Sequence, residues 1–309
     1  MDNFVFGPVP SRRLGFSLGV DIIPRKYCNF DCIYCQIGKT TRKNTVRRTF
    51  FQTKEVAKQV VDAVCAVEKV DFVTFSGSGE PTLNKNLGAM IREIKKNIDT
   101  PVAVITNSSL FDLEEVRRDL MCADVILPSL DAASDEIFQR INRPQSDIDI
   151  MKIIDGIRSL RKHYSGLIWL EIMLIKGMND TKEELQKLNA IVNGLGVDRI
   201  HLNTVTRPPS ESDAAPLDKR ELEQVRKSFG DKCEVISSFE KDGIHHQREG
   251  WAEALFDILK RRALTFPDIV KVTGVTSSGM KTRLQNMENR GLIKTYRLGA
   301  EIYYIAVER

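Results

Sequence analysis

The sequence is defined first by what it lacks. Among its 309 residues no apolar run approaches the length of a bilayer span, and the mean hydropathy is -0.24. The N-terminus, Met1-Asp2-Asn3-Phe4, lacks the charged-then-apolar pattern of a secretory leader, so a cytoplasmic protein is expected, with no membrane partner. In that setting the six cysteines read as free thiols or ligands rather than disulfides. No Gly-x-Gly-x-x-Gly follows the first predicted strand, which argues against a dinucleotide-binding fold. What is present suffices for a core: 42% of residues are hydrophobic, and the length favours one large domain or two modest ones.

The densest chemistry lies in Cys28-Asn29-Phe30-Asp31-Cys32-Ile33-Tyr34-Cys35, where three thiols fall within eight residues. The segment follows Val20-Asp21-Ile22-Ile23-Pro24, which reads as the end of a strand, the edge where α/β folds place their sites. Soft thiolates this close select an iron–sulfur cluster or zinc over hard cations. Three of them cover three irons of a four-iron cube and leave the fourth open, for a ligand that is also a reactant. A structural zinc site is the alternative, but zinc needs a closed fourth ligand. The next cysteine, Cys65, falls in a predicted helix, and the nearest histidine is His163.

Beyond this loop strands and helices alternate. Helical spacing is read at 56–67, 87–94, 113–121, around Ile137, at 150–160 and at 183–192, with strands at 71–75, 102–105, 125–127, 167–175 and 199–205. Counting the strand before the cysteines, six β/α repeats are expected, and hence a parallel sheet. Residues 7–19, rich in Pro, Gly and Arg, read as an irregular lead-in whose Arg12 and Arg13 face either an anion or solvent. The run Lys39, Arg42, Lys43, Arg47 and Arg48 is either a solvated face or a surface for an anionic substrate.

Polar residues mark the strand ends. In Ser76-Gly77-Ser78-Gly79-Glu80-Pro81, Gly79 lets backbone approach a ligand and Glu80 can accept hydrogen bonds from an ammonium. A glycine-rich turn with a capping acid accounts for the same residues. Thr106-Asn107-Ser108 and Ser129-Leu130-Asp131, taken singly, are turn or N-cap patterns. Glu171 lies among apolar residues of a strand and needs a partner unless it sits at an edge, which suggests a lumen-facing position. Asn203 and Thr204 end the sixth strand.

Cys-x3-Cys-x2-Cys with an aromatic, Tyr34, before the third cysteine resembles the radical S-adenosylmethionine (SAM) superfamily, over about the first three quarters of the chain. The resemblance implies an α/β fold built as a partial (β/α)6 TIM-type barrel. It implies a [4Fe-4S] cluster on Cys28, Cys32 and Cys35, with SAM chelating the open iron. An electron from a donor such as flavodoxin or ferredoxin then cleaves SAM to a 5′-deoxyadenosyl radical. Gly79 and Glu80 are similar to the end of the family's Gly-Gly-Glu motif, which binds the methionyl amino group; Ser78 replaces its first glycine. Asn107, Ser129 and Asp131 are implied as further cofactor contacts, the last two near the ribose or methionyl carboxylate, and Asn203 near the adenine. Arg143, in Ile141-Asn142-Arg143-Pro144, is implied as a partner for the cofactor carboxylate or the substrate.

The last sixty residues differ. Residues 250–309 hold ten Lys and Arg against six Asp and Glu, so the whole net charge of +4 lies there. The excess suits a polyanion or is ordinary for a small module. Three helices and a hairpin around Gly299 resemble a winged helix-turn-helix whose third helix carries Lys281, Arg283 and Arg290. Domains are expected at 1–244 and 245–309, joined by a linker at His245-His246-Gln247-Arg248. Cys65, Cys122 and Cys233 are scattered, and no second cluster is expected. The first domain most resembles radical enzymes near the wyosine-type tRNA synthetases, which with the basic module points to tRNA or another nucleic acid as substrate. A protein or peptide substrate is the alternative among enzymes. A redox-sensing, DNA-binding iron–sulfur regulator is the alternative outside them, though the strand-end motifs favour catalysis.

Overall fold

In the computed structural model, which describes residues 3–236 and 251–307, the chain opens with two antiparallel strands, β1 (Val5–Ser11) and β2 (Gly15–Val20). This corrects the reading of residues 7–19 as an irregular lead-in. Pro8 and Pro10 disguise β1, but β1 is the edge of its sheet, where a missing N–H is tolerated.

Six strands parallel to β2 follow: β3 (Phe72–Phe75), β4 (Val102–Thr106), β5 (Val125–Pro128), β6 (Leu167–Leu174), β7 (Arg199–Thr204) and β8 (Cys233–Val235). Between them run α1 (Thr53–Cys65), α2 (Leu87–Lys95), α3 (Glu114–Leu120), α4 (Asp135–Asn142), α5 (Ile150–His163), α6 (Lys182–Asn193) and α7 (Lys219–Phe229). The spatial order β1 to β8 repeats the chain order, as in a barrel and unlike a doubly wound sheet. The fold is a partial TIM-type barrel. Its last parallel strand, β8, lies beyond the six expected β/α repeats.

Side-chain alternation gives the sheet two faces. Ile168, Leu170, Ile172 and Leu174 of β6 join the main core with Ile153, Ile157 and Leu160 of α5. On the other face Leu14, Ala103, Val125, Leu127 and Trp169, with Phe72 and Ile105, form a separate apolar plug inside the barrel. Beyond the plug the interior turns polar: Ser17 and Thr74 share a hydroxyl contact of 2.6 Å, and Glu171, His201 and Asn203 are buried.

The C-terminal elements are α8 (Trp251–Arg261), β9 (Leu264–Thr265), α9 (Phe266–Thr273), α10 (Ser277–Asn289), β10 (Ile293–Leu298) and β11 (Glu301–Ala306), the strands ordered β10-β11-β9. A capping box of Thr265 and Asp268 starts α9, and Gly274, at φ +65°, ends it. Leu255, Ile258, Ile269, Met280 and Leu284 fill its core, which also takes in Phe6 and Val9 of β1. The expected boundary at 244/245 and the linker His245-His246-Gln247-Arg248 lie outside the described residues. The module is nonetheless no loose appendage, because it shares a core with the first strand. Two of its cations face the barrel: Arg261 Nε donates to Asp21 Oδ2 at 2.7 Å and Arg262 Nη2 to the Pro10 carbonyl at 2.6 Å. The basic excess is therefore not wholly a surface for a polyanion. Among the described residues no helix is long and apolar enough to cross a membrane.

Candidate active site

The cysteine loop runs from the C-terminal end of β2 towards α1 and is held by backbone contacts rather than by regular structure. Ile33 N donates to the Ile141 carbonyl at 3.0 Å and Asp31 N to the Asn142 carbonyl at 3.1 Å, which fastens the loop to the end of α4. On its other side Gly79 lies against it. A Cβ at Gly79 would sit 2.1 Å from the Tyr27 carbonyl oxygen, so only glycine allows Glu80 N to reach that carbonyl at 3.2 Å. Ser78 is fixed separately, its N and Oγ donating to Asp21 at 3.1 and 2.6 Å.

All three thiols are free and partly buried, and each meets at least one N–H donor. Cys28 Sγ accepts from Phe30 N at 3.4 Å and lies 3.8 Å from Asn107 Nδ2. Cys32 Sγ accepts from Asn142 Nδ2 at 3.5 Å, and Cys35 Sγ from Lys26 Nζ at 3.5 Å. Burial, then the Glu80 carboxylate, pushes the Cys28 thiol up to about 12. Burial, then the neighbouring Cys35 and Cys28, raises Cys32 well above the usual thiol range. Donors aimed at sulfurs in a desolvated pocket suit ligand thiolates whose charge is balanced by a bound cationic centre. The donor set fits a cluster.

The two carboxylates beside the loop are scaffold as much as site. Glu80 Oε1 accepts from Thr82 N, Thr82 Oγ1 and Thr106 Oγ1 at 3.0, 2.6 and 2.7 Å, and Oε2 from Asn107 N at 2.8 Å. It thereby caps the short turn at Pro81–Leu83, as the capping-acid alternative expects. Burial raises its pKa against these donors, and Oε2 retains room for one more. Asp131 Oδ2 accepts from Tyr34 Oη at 2.5 Å and Asn142 Nδ2 at 2.7 Å, and Oδ1 from Met173 N at 2.9 Å. Burial raises its pKa as well, with the same hydrogen bonds opposing. Tyr34 and Asn142 are thus the struts by which β5 holds Cys32.

The structure brings Cys28, Cys32, Cys35, Gly79, Glu80, Asn107 and Asp131 into one neighbourhood. Ser129 lines a small cavity with Tyr34, Asn107, Asp131 and Asn142. Asn203 sits deeper, its Nδ2 donating to Glu171 Oε1 at 2.9 Å, and Arg13 forms an ion pair with the same carboxylate. Glu171 therefore faces the lumen and is not an edge charge. Arg143 does not face the thiols as a free cation: its Nη1 bonds Glu211 Oε1 at 2.7 Å. The basic run is dispersed too. Arg47 is buried against Glu115 and Asp119 at 2.8 and 2.6 Å, and Lys39 pairs with Glu211 at 2.9 Å. Lys26, Asn29 and Asn142 were missed as site residues. Asn142 was adjacent to Arg143 in a segment already singled out, whereas Lys26 and Asn29 carried no signal beyond proximity to Cys28.

Residues 22–188 match the radical SAM superfamily. The chain belongs to the radical SAM superfamily. It is 34% identical over 293 residues to a UPF0026 protein of Methanocaldococcus jannaschii, covering 87% of this chain and 90% of that protein. It is 36% identical over 301 residues to a Brachyspira hyodysenteriae protein named GTPase Obg; the match covers 96% of this chain and 44% of that protein's length. The radical SAM chain carries Gly38-Lys39-Thr40, but Ile33 stands where a phosphate-binding Gly-x-x-x-x-Gly-Lys-Thr loop has its first glycine. Similarity at 28% identity extends over 55% of the chain, and 50% of the relative, to a probable dual-specificity RNA methyltransferase RlmN of Pseudothermotoga lettingae. In three dimensions it resembles a radical SAM methyltransferase from Sphaerobacter thermophilus, with TM-score 0.52, 19% identity and coverage of 71% and 65% of the two chains. As a radical SAM enzyme it uses a [4Fe-4S] cluster and SAM.

Proposed function

We propose that this radical SAM enzyme reductively cleaves SAM at a cluster held by Cys28, Cys32 and Cys35 and modifies an RNA, with tRNA the first class to test. The cleavage rests on one observation: three thiols on a single loop at the barrel mouth, each met by an N–H donor. When bound, the cofactors supply one-electron cleavage of the sulfonium C–S bond, releasing methionine and a 5′-deoxyadenosyl radical that takes a substrate hydrogen. The electron comes from a carrier of the flavodoxin or ferredoxin type.

The chain's own residues bind, orient and exclude water. Gly79, Asn107 and Ser129 border the space beside the loop and are assigned to cofactor binding. Glu80 Oε2, with a lone pair still free, is assigned to the methionyl ammonium, and Asn203 to the adenine end. Asp131 acts through Tyr34 and Asn142 to fix the loop, as a positioning residue. The apolar plug around Trp169 and Leu127 closes the lumen from below and keeps water from a reactive intermediate.

The RNA assignment draws on the similarity to an RNA methyltransferase, the resemblance to the wyosine-type group and the C-terminal elements. We assign the latter to a winged helix-turn-helix, in which α10, with Lys281 exposed on it and Arg290 exposed at its C-cap, would meet the nucleic acid. Since the module shares its core with β1, charge reversal at Lys281 and Arg290 is a cleaner test than truncation. Anaerobically reconstituted protein, reduced in the presence of SAM, is expected to form 5′-deoxyadenosine, and protein isolated at physiological salt to retain RNA. Absence of 5′-deoxyadenosine overturns the cleavage. Retention of a protein in place of RNA moves the substrate to peptides.

A further inference from the structure

Three elements distant in sequence meet beside the barrel mouth: the β1–β2 turn, the loop after β7 and the end of α8. Each contributes a partly buried arginine, namely Arg12, Arg207 and Arg262. Arg12 Nη1 donates to the Ile236 carbonyl at 3.1 Å, and Arg262 Nη2 to the Pro10 carbonyl. Carbonyls orient a guanidinium without neutralising it. Arg262 Nε is buried with no hydrogen-bond partner, and Arg207, half-buried, makes no hydrogen bond or ion pair among the described residues. Asp268 is the nearby carboxylate, and its Oδ2 is already engaged by Thr265 N in the α9 capping box.

The three side chains lie close enough to repel one another. Burial, then Arg262 and Arg12, lowers Arg207 well below the usual guanidinium range; burial is likewise the first cause at Arg262, lowered to about 10, where Asp268 opposes the shift and Arg12 and Arg13 add to it. Asp268 offsets part of this charge, but three guanidiniums beside one carboxylate leave an excess of positive charge whose desolvation is costly. A fork of N–H donors is, conversely, the geometry that binds an oxyanion in bidentate fashion.

We propose that Arg12, Arg207 and Arg262 form a binding site for a phosphate-type oxyanion. The site stands on charge and burial, whatever the radical acts on, and its position links it to the substrate. Arg207 shares its loop with Ser210, whose Oγ donates to the Cys32 and Ile33 carbonyls at 3.0 and 2.9 Å, so a phosphate held there is tied to the backbone that carries the thiols. Tyr303 Oη, donating to the Thr206 carbonyl at 2.6 Å, closes the site from the C-terminal module.

The test uses the full chain and inorganic phosphate, titrated at constant ionic strength with chloride as control, and reads the thermal midpoint. A saturable, phosphate-specific rise is expected. Arg207→Gln and Arg262→Gln should each weaken apparent binding about tenfold or more. Arg118→Gln, on an exposed face of α3, should leave it unchanged. Without phosphate, Arg207→Met should unfold at a higher midpoint than the parent, because a repelled cation has been removed; a lower midpoint would mean the cluster is structural and would overturn the proposal. So would an equal phosphate response in parent and both Gln variants, or none in the parent. Competition by tRNA identifies a backbone phosphate, competition by a mononucleotide a small phosphoester, and competition by neither contradicts the site.

Discussion

At the barrel mouth Glu80 accepts four hydrogen bonds and Asp131 three, whereas at the module junction Arg207 makes none among the described residues. Both regions are polar and partly enclosed, so burial alone does not distinguish them. The balance of donors and acceptors does. A satisfied network fixes its neighbours and behaves as scaffold; one with an excess of a single sign is costly until something else completes it. The thiols share features of both regions, since N–H donors orient them while burial and mutual repulsion leave them needing a cation.

Variants can break this contrast. The largest effect is expected from Cys28→Ala, Cys32→Ala or Cys35→Ala, each of which should abolish the iron–sulfur chromophore and 5′-deoxyadenosine formation. Next, Asp131→Ala strands Tyr34, Asn142 and the Met173 N–H, and should lower stability by about 3 kcal/mol in denaturant unfolding, with reduced iron content. Arg207→Met removes one charge at the other region and should have the opposite sign, raising stability by about 1 kcal/mol in the absence of anions. Equal signs for these two would erase the distinction.

A subtler expectation concerns His201, whose pKa is lowered from 6.5 to about 3 by burial first, then by Arg13 and Arg199. Above pH 6.5 neither folded nor unfolded chain holds this proton. Below it the unfolded chain binds a proton that the folded one refuses, so stability falls as pH drops from 6.5 towards 3, by up to about 1.4 kcal/mol per pH unit. His201→Gln should flatten that limb in urea titrations. The smallest effect belongs to the exposed Lys39: Lys39→Ala should cost under about 1 kcal/mol, because a solvated ion pair contributes little.

The helices and central strands were legible in the sequence because their apolar periodicity is strong and their faces are fully buried; α2, β4 and α6 fall within one residue of their expected ends. β1 was hidden by its two prolines, which an edge strand accepts and periodicity reads as a break. The site was legible where chemistry is local, as in the Cys28–Cys35 spacing, and in Glu171, whose charge in an apolar strand demanded a partner. The struts were not: Asn142 lies 110 residues from Cys32, and nothing in a polar side chain at a helix end announces that it will donate to a distant sulfur. The arginine cluster was legible only in part: Arg12 was read as facing an anion or solvent, but its convergence with Arg207 and Arg262 exists only in the folded chain.

The central claim is that three sulfurs grip a four-iron cube with one corner free for SAM. Anaerobic reconstitution followed by iron and sulfide analysis, with electron paramagnetic resonance of the reduced protein before and after adding SAM, tests it most directly. The account predicts about four irons and four sulfides per chain, and a spectrum that changes when SAM binds the open iron. A single tetrahedral metal ion with no sulfide, or a cluster signal indifferent to SAM, would contradict it.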